Sequence, residues 1–341
     1  MKTILFLNQR AKKWIALGVA LLMLFGIFLI SYAIRSIDGR AVKTTVYIPR
    51  GTGFLEIVDI LDQAGMVKQK PFFILLAKLK GAAGSIKPGE YELATSMSPW
   101  EITDKLAKGH IKIRRVPIPE DYTLKQIADR LVAENLVSEE NFISVTTDPV
   151  FLASLNIDAN SAEGYLYPDT YDFYRGMTTQ EIVKNMVKQF RKKVTSEMIE
   201  RAKKLGMTTT EFVTLASLIG KETGHEEEKA QISAVFHNRL KKGMRLQSDP
   251  TAVYGLDEHR SFVRRKDLDN DTPYNTYKIM GLPPGPIANP GIDSLQAALY
   301  PAPVNYLYFV SNNDGTHKFS SNLAAHAQAV LKYQIKRKNI R

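Results

Sequence analysis

The residue in this chain best placed to move a proton is Glu222. It lies in ASLIGKETGHEEEK, residues 216–229, one position past Lys221 and two before Gly224. Phe212, Leu215, Ala216 and Ile219 recur at three- and four-residue spacing, which defines the buried face of a helix. Glu222 is three residues beyond Ile219 and continues that face. Thr209 or Thr210 supplies an N-cap, Glu211 an acid in the first turn, and Gly224 a C-terminal stop. A carboxylate both partly buried and near a helix C-terminus is disfavoured as an anion twice over, so its pKa should rise. A carboxylic acid still protonated near neutral pH is what a general acid must be. The plainer alternative is a solvated last-turn glutamate, or one paired with Lys221.

Most other chemistries find no footing. There is no phosphate loop, no dinucleotide glycine motif and no Gly-x-Ser-x-Gly elbow. The six histidines, at 110, 225, 237, 259, 317 and 326, are not at metal-ligand spacing, so neither a metal nor a cofactor is expected. No cysteine is present, which excludes disulfides and thiolate metal sites. Lys and Arg total 46 against 35 acids, a net charge of +11 that suits an anionic lipid or polymer. Nucleic acid is not indicated, because no basic run is interleaved with aromatics and no recognition module is present. Three loop-like stretches are rich in Asn, Gln, Tyr, Asp and Gly: RLQSDPTAVYG (245–255), TPYNTYKIMGLPPGPIANPG (272–291) and NNDGTHKFS (312–320). Such side chains suit a groove that reads sugar hydroxyls and acetamides while aromatic faces pack on the rings. Each stretch alone also reads as turn chemistry.

The elements that would carry this site follow from periodicity and caps, and the class they indicate is α+β. Residues 1–13 are basic, with Lys2, Arg10, Lys12 and Lys13. Trp14 to Ile34 is an uncharged apolar run of roughly 21 residues, enough for a single transmembrane helix with a cytoplasmic N-terminus. A cleaved signal peptide is the alternative, but the run is longer than a signal core of about 7–15 residues. Strand, helix, helix and strand then follow over 44–93, and a third helix starts at Ser98-Pro99. In the first helix Leu55, Ile57, Val58, Ile60 and Leu61 are expected to face inward. This βααβ pattern over 40–115 looks like a LysM-type module, a fold that binds N-acetylated glycans; a plain α+β spacer is the other reading. A strand IKIRRVPIP leads to two helices capped by Thr123 and Ser138, and 116–155 reads as a helical connector. A mixed α/β catalytic domain is placed at 156–341, with helices at 179–194, 195–206, 209–223 and 226–242 and a buried strand at 306–311. The tail KYQIKRKNIR reads as a solvated basic helix end.

Five ordered blocks carry a resemblance to a known family: EGYLYPDTYDF, ASLIGKET, FHNRLKKGMRLQSDPTAVYG, YNTYKIMGLPPGPIANPG and LYFVSNNDGTHKFS. Together they resemble the YceG-like family over roughly residues 40–335. The resemblance implies a membrane-anchored lytic transglycosylase that cuts nascent peptidoglycan strands internally, outside the cytoplasm, with penicillin-binding peptidoglycan synthases as partners. It maps the family's catalytic glutamate onto Glu222. Many members carry a second glutamate two positions earlier, where this chain has Gly220. Gln247, Ser248, Asp249, Tyr254, Tyr274, Asn275 and Tyr277 are the residues expected to hold the glycan. A single acid suits attack by the sugar's own C6 hydroxyl, giving 1,6-anhydro ends. Asp249 is the residue that could instead make a two-carboxylate muramidase. A non-catalytic glycan-binding scaffold for wall synthases is the third reading.

Overall fold

The apolar N-terminal run forms one long helix, α1 (Gln9–Ile34), in the computed structural model, which describes residues 9–256 and 263–335. Its Ala11–Ile34 portion is long and apolar enough to cross a membrane; its most apolar stretch is not buried by the rest of the chain, whereas Ala33 near its end is. That surface fits a single-pass anchor. Lys2, His259 and the basic tail beyond residue 335 lie outside the described residues.

The chain divides into two compact units. One runs to Arg114 and adds Phe173–Met177; the other comprises Arg115–Asp172 and the chain from Thr178. The first unit contains α1, β1 (Lys43–Ile48), α2 (Phe54–Gln63), α3 (Lys70–Leu79), β2 (Gly89–Ala94) and α4 (Pro99–Lys108). β1 and β2 run antiparallel, with Lys43 opposite Ala94 and Ile48 opposite Gly89. Val46, Ile48, Tyr91 and Leu93 from the strands bury against Val58, Leu61, Phe73, Ile102 and Leu106 from the helices. α4 starts as its sequence dictates, with a reciprocal Ser98–Glu101 capping box and Pro99 in the first turn. One inward assignment fails: Leu55 is exposed, whereas Ile57, Val58 and Leu61 are buried. At position two of a ten-residue helix it falls on the edge of the apolar sector, where sequence periodicity does not fix direction.

A buried acid ties this unit together. Glu90, 4 % exposed, accepts hydrogen bonds from Arg114 Nη2 at 2.6 Å and Arg175 Nη1 at 3.2 Å.

The second unit starts at Arg115 within β3 (Arg114–Pro117), which pairs with β4 (Thr170–Phe173). Between them lie α5 (Leu124–Ala133), α6 (Glu139–Thr146) and α7 (Pro149–Ser154), with Thr123 and Ser138 capping the first two as expected. After β4 come α8 (Thr179–Lys193), α9 (Ser196–Lys204), α10 (Thr209–Glu222), α11 (Glu226–Lys241), α12 (Asp249–Val253) and α13 (Ile292–Leu299). The hairpin β5 (Tyr308–Ser311) and β6 (His317–Ser320) and then α14 (Leu323–Val330) complete it. β5 is shorter than the expected strand and half-exposed, not buried.

α10 is the centre of this unit. Every residue from Phe212 to Gly220 is buried, and the helix packs on α11 and α13. Its cap is Thr208, one residue before the expected threonines, in a capping box with Glu211. It ends at an extended Thr223 and not through a left-handed glycine. The Thr223 hydroxyl accepts the His225 amide at 3.0 Å, so a side-chain turn replaces the glycine stop.

The Glu90 carboxyl gives the first unit an acid-sensitive tie. Burial alone would raise its pKa, but the hydrogen bonds from Arg114 and Arg175 hold it below the usual glutamate range. Its contribution is complete above the ordinary glutamate value and is lost as pH falls through the lower folded value. Glu90→Ala should destabilise this unit by roughly 2–3 kcal/mol at pH 7, less than a fully buried pair because Arg175 is partly exposed. Denaturant melts of both proteins from pH 7 to pH 3 should converge as the acid limb is reached.

Candidate active site

Glu222 ends the buried stripe of α10, and the segment before α12 crosses above it. Ser248 Oγ donates to Glu222 Oε1 at 2.5 Å. The residue is half-buried, and burial pushes its carboxyl up to about 7; nearby Asp249 adds to the rise, while Ser248 and Arg239 pull against it. The site therefore holds an acid that keeps its proton close to neutrality, as spacing on the helix suggested.

Two threonines staple the loops that meet Glu222. Ser248 N donates to Thr276 Oγ1 at 2.9 Å, Thr276 N donates to Thr251 Oγ1 at 3.1 Å, and Thr251 Oγ1 donates to Ser248 O at 2.6 Å. Gln247 takes a left-handed backbone, φ 52°, to turn the chain into this arrangement. A non-glycine residue there costs on the order of 1 kcal/mol, and the surrounding bonds must impose it. One of them is the Gln247 amide donating to Thr276 O at 3.2 Å.

Arg239 braces the same loops from α11. It is 7 % exposed; its Nε donates to Leu307 O at 2.7 Å and its Nη1 to Leu246 O at 2.8 Å and to Gln247 Oε1 at 3.2 Å. Sequence reasoning missed it, although the signal was the one that found Glu222. Ile232, Val235, Phe236 and Arg239 form a buried stripe at helical spacing whose last member is charged. His317 was also missed. Glu228 Oε1 accepts its backbone N–H at 2.8 Å and Glu228 Oε2 meets its Nδ1 at 2.7 Å, which fixes the β5–β6 hairpin to α11.

These elements enclose a cavity of about 510 Å³ whose walls include Glu222, Arg239, Gln247, Asp249, Tyr277 and His317. That is within the range of sites that take a small ligand or a sugar unit. Of the seven residues expected to hold glycan, Gln247, Asp249 and Tyr277 line it, with the Tyr277 hydroxyl donating to Asp249 Oδ1. Ser248 is buried and directed at Glu222. The remaining three are not brought to this cavity. Asn275 is fully buried, its amide donating to Leu268 O and Asn270 O at 2.9 and 2.7 Å. Tyr254 donates to the buried Glu163 at 3.0 Å and packs on Tyr274 with ring centroids 4.7 Å apart. Among the described residues no group of three His, Asp or Glu side chains is arranged to hold a metal ion.

Gly220 has a steric explanation. A Cβ at this position would lie 1.9 Å from Asp121 Oδ1, so the Asp121 carboxyl occupies the space of any side chain at 220.

A family model described as the YceG-like family matches residues 46–332. The chain belongs to this family. It is 35 % identical over 330 residues to the endolytic murein transglycosylase of Bacillus subtilis, covering 92 % of this chain and 91 % of that protein. The Streptococcus pneumoniae protein of the same name is 33 % identical, over 92 % of this chain and 63 % of its own length. A crystal structure of a yceG-like protein from Listeria monocytogenes aligns with a TM-score of 0.59 at 37 % identity, covering 85 % of this chain and all of that one.

The YceG-like chain described here should carry a stability cost at Glu222 that is read without any substrate. Because the folded pKa is raised, the native state binds more protons than the unfolded state between pH 4.5 and about 7, so stability falls as pH rises through that window. A rise of this size is at most about 3 kcal/mol, and the residue's partial exposure reduces the expected effect to about 1–2 kcal/mol. Glu222→Gln, which mimics the protonated acid, should match the wild type at pH 4.5 and exceed its stability by that amount at pH 8. Thermal melts at the two pH values check this.

Proposed function

We propose that this chain is a membrane-anchored lytic transglycosylase that cuts within peptidoglycan glycan strands, using Glu222 first as acid and then as base. The observation that carries the reading is the Glu222 carboxyl, raised to about 7 in a cavity of sugar-unit size. The relatives named as endolytic murein transglycosylases supply the substrate class.

Protonated Glu222 donates to the glycosidic oxygen that leaves C1 of N-acetylmuramic acid. The C–O bond breaks with positive charge on the ring. The Glu222 carboxylate then takes the proton of the same sugar's C6 hydroxyl as O6 bonds to C1, closing the 1,6-anhydro ring and restoring the acid. A carboxyl with a pKa near 7 serves both steps, since neither form is far from populated at neutral pH. The attacking oxygen is already in the molecule, so proximity replaces a positioned water. Gln247, Asp249 and Tyr277 read the sugar's polar groups, whereas Asn275, Tyr254 and Tyr274 support the loops that present them. Ser248 sets the direction of the Glu222 carboxyl.

α1 anchors the chain with its basic start in the cytoplasm and everything after α1 outside. The βααβ portion of the first unit serves as a LysM-like glycan contact, and the portion from 156 onward carries out cleavage. Synthases that make the strands are the expected partners because they supply the substrate.

Asp249 in the same cavity is the one observation that favours a muramidase instead. The products separate the two. Uncrosslinked glycan strands digested in heavy-oxygen water should give muramyl ends lighter by one water and unlabelled. Full-mass, labelled ends would establish hydrolysis with Asp249 as the second carboxylate. Glu222→Gln should lower turnover about 10²–10⁴-fold while glycan binding persists; unchanged turnover in a folded variant would remove Glu222 from the mechanism.

A further inference from the structure

The anchor helix does not leave the first unit at a bare linker. Phe25, Phe28 and Tyr32, spaced three and four apart on α1, all pack on Phe72 of α3, with ring centroids at 6.5, 5.0 and 5.8 Å. Phe28 is six residues and Phe25 nine residues before the end of α1, or about 9 and 13 Å along the axis. The apolar segment Ala11–Ile34 has 24 residues, about 36 Å of helix against about 30 Å of hydrocarbon. The excess of about 6 Å is too short to lift both contacts clear of the bilayer. Phe72 therefore lies at the edge of the hydrocarbon.

Its neighbours on α3 agree. Phe72, Leu75 and Leu79 share one face at positions i, i+3 and i+7, apart from the core residues Phe73, Leu76 and Ala77. Leu79 is 69 % exposed, an apolar side chain left mostly uncovered. Beside this face, Arg35 and Lys68 line a cavity of about 510 Å³ together with Phe28, Ser31 and Tyr32. Two cations, the Ser31 and Tyr32 hydroxyls and aromatic rings at that depth match a phosphate headgroup above its acyl chain, and Asp38, the acid in the same lining, is paired with Arg40.

We propose that the first unit is seated in the lipid interface, with the Phe72–Leu75–Leu79 face in the acyl boundary and Arg35 and Lys68 on the phosphate of an anionic lipid. The inference rests on α1 being an uncleaved anchor. It makes the first unit a part of the membrane surface and not a freely swinging module.

The chain has no cysteine, so a single introduced thiol can be spin-labelled uniquely. The full chain carrying Leu79→Cys, and separately Leu22→Cys within α1, is placed in nanodiscs of phosphatidylcholine with and without phosphatidylglycerol. Collision of each label with oxygen, which partitions into lipid, is compared with collision with an aqueous nickel complex. Both labels should favour oxygen, and collisions of the Leu79 label with nickel should fall further when phosphatidylglycerol is present. Arg35→Gln with Lys68→Gln should abolish that anionic-lipid difference; its persistence would overturn the phosphate assignment. A Leu79 label open to nickel while the Leu22 label is in lipid would overturn the seating but leave the anchor. A Leu22 label open to nickel would remove the anchor and the inference with it.

Discussion

Removing the Glu222 carboxyl from water is the constraint on which the catalytic arrangement depends. Burial raises its pKa, and the Ser248 hydroxyl limits that rise while fixing its direction. A deeper, unbonded acid would hold its proton too firmly to act as a base in the same cycle, and an exposed one would lose it near pH 4.5. The single bond from Ser248 places the group between these limits. Around it, Thr251 and Thr276 lock the two loops together, and Arg239 ties the start of one to Leu307, just before β5. Precision at the carboxyl is thus supplied by buried polar bonds between loops, each loop borne on a helix or strand with an apolar core.

The acid was legible because a helix imposes a period, and a charged residue that continues an apolar stripe is conspicuous within it. Arg239 obeys the same rule on α11 and could have been read the same way. The groove residues were less legible. Gln247, Asp249 and Tyr277 reach the cavity, but Asn275, with the same composition and loop context, turns inward to close its own loop. Residue type in a loop states what a side chain can bond, not which way it points. Tyr254 illustrates this directly: its partner Glu163 is ninety-one positions earlier, and no local pattern announces the pairing.

Elements and caps were read closely wherever local chemistry decides them, as in α4 through α6. Placements made by a distant segment have no local signature. Gly220 is notable in sequence only as a missing glutamate, whereas in the fold the Asp121 carboxyl, from nearly a hundred positions away, occupies the space of its side chain. The segment Phe173–Met177 likewise joins the first unit, where Arg175 completes the clamp on Glu90, although every neighbour in sequence belongs to the second.

The account stands or falls on the protonation state of one carboxyl. Carbon-13 resonances of glutamate side chains, recorded from pH 3 to pH 9 on the labelled full chain and on Glu222→Gln, isolate the Glu222 signal by difference. The account predicts a carboxyl that titrates at about 7. A Glu222 signal fully shifted to the carboxylate form by pH 5.5 would contradict it.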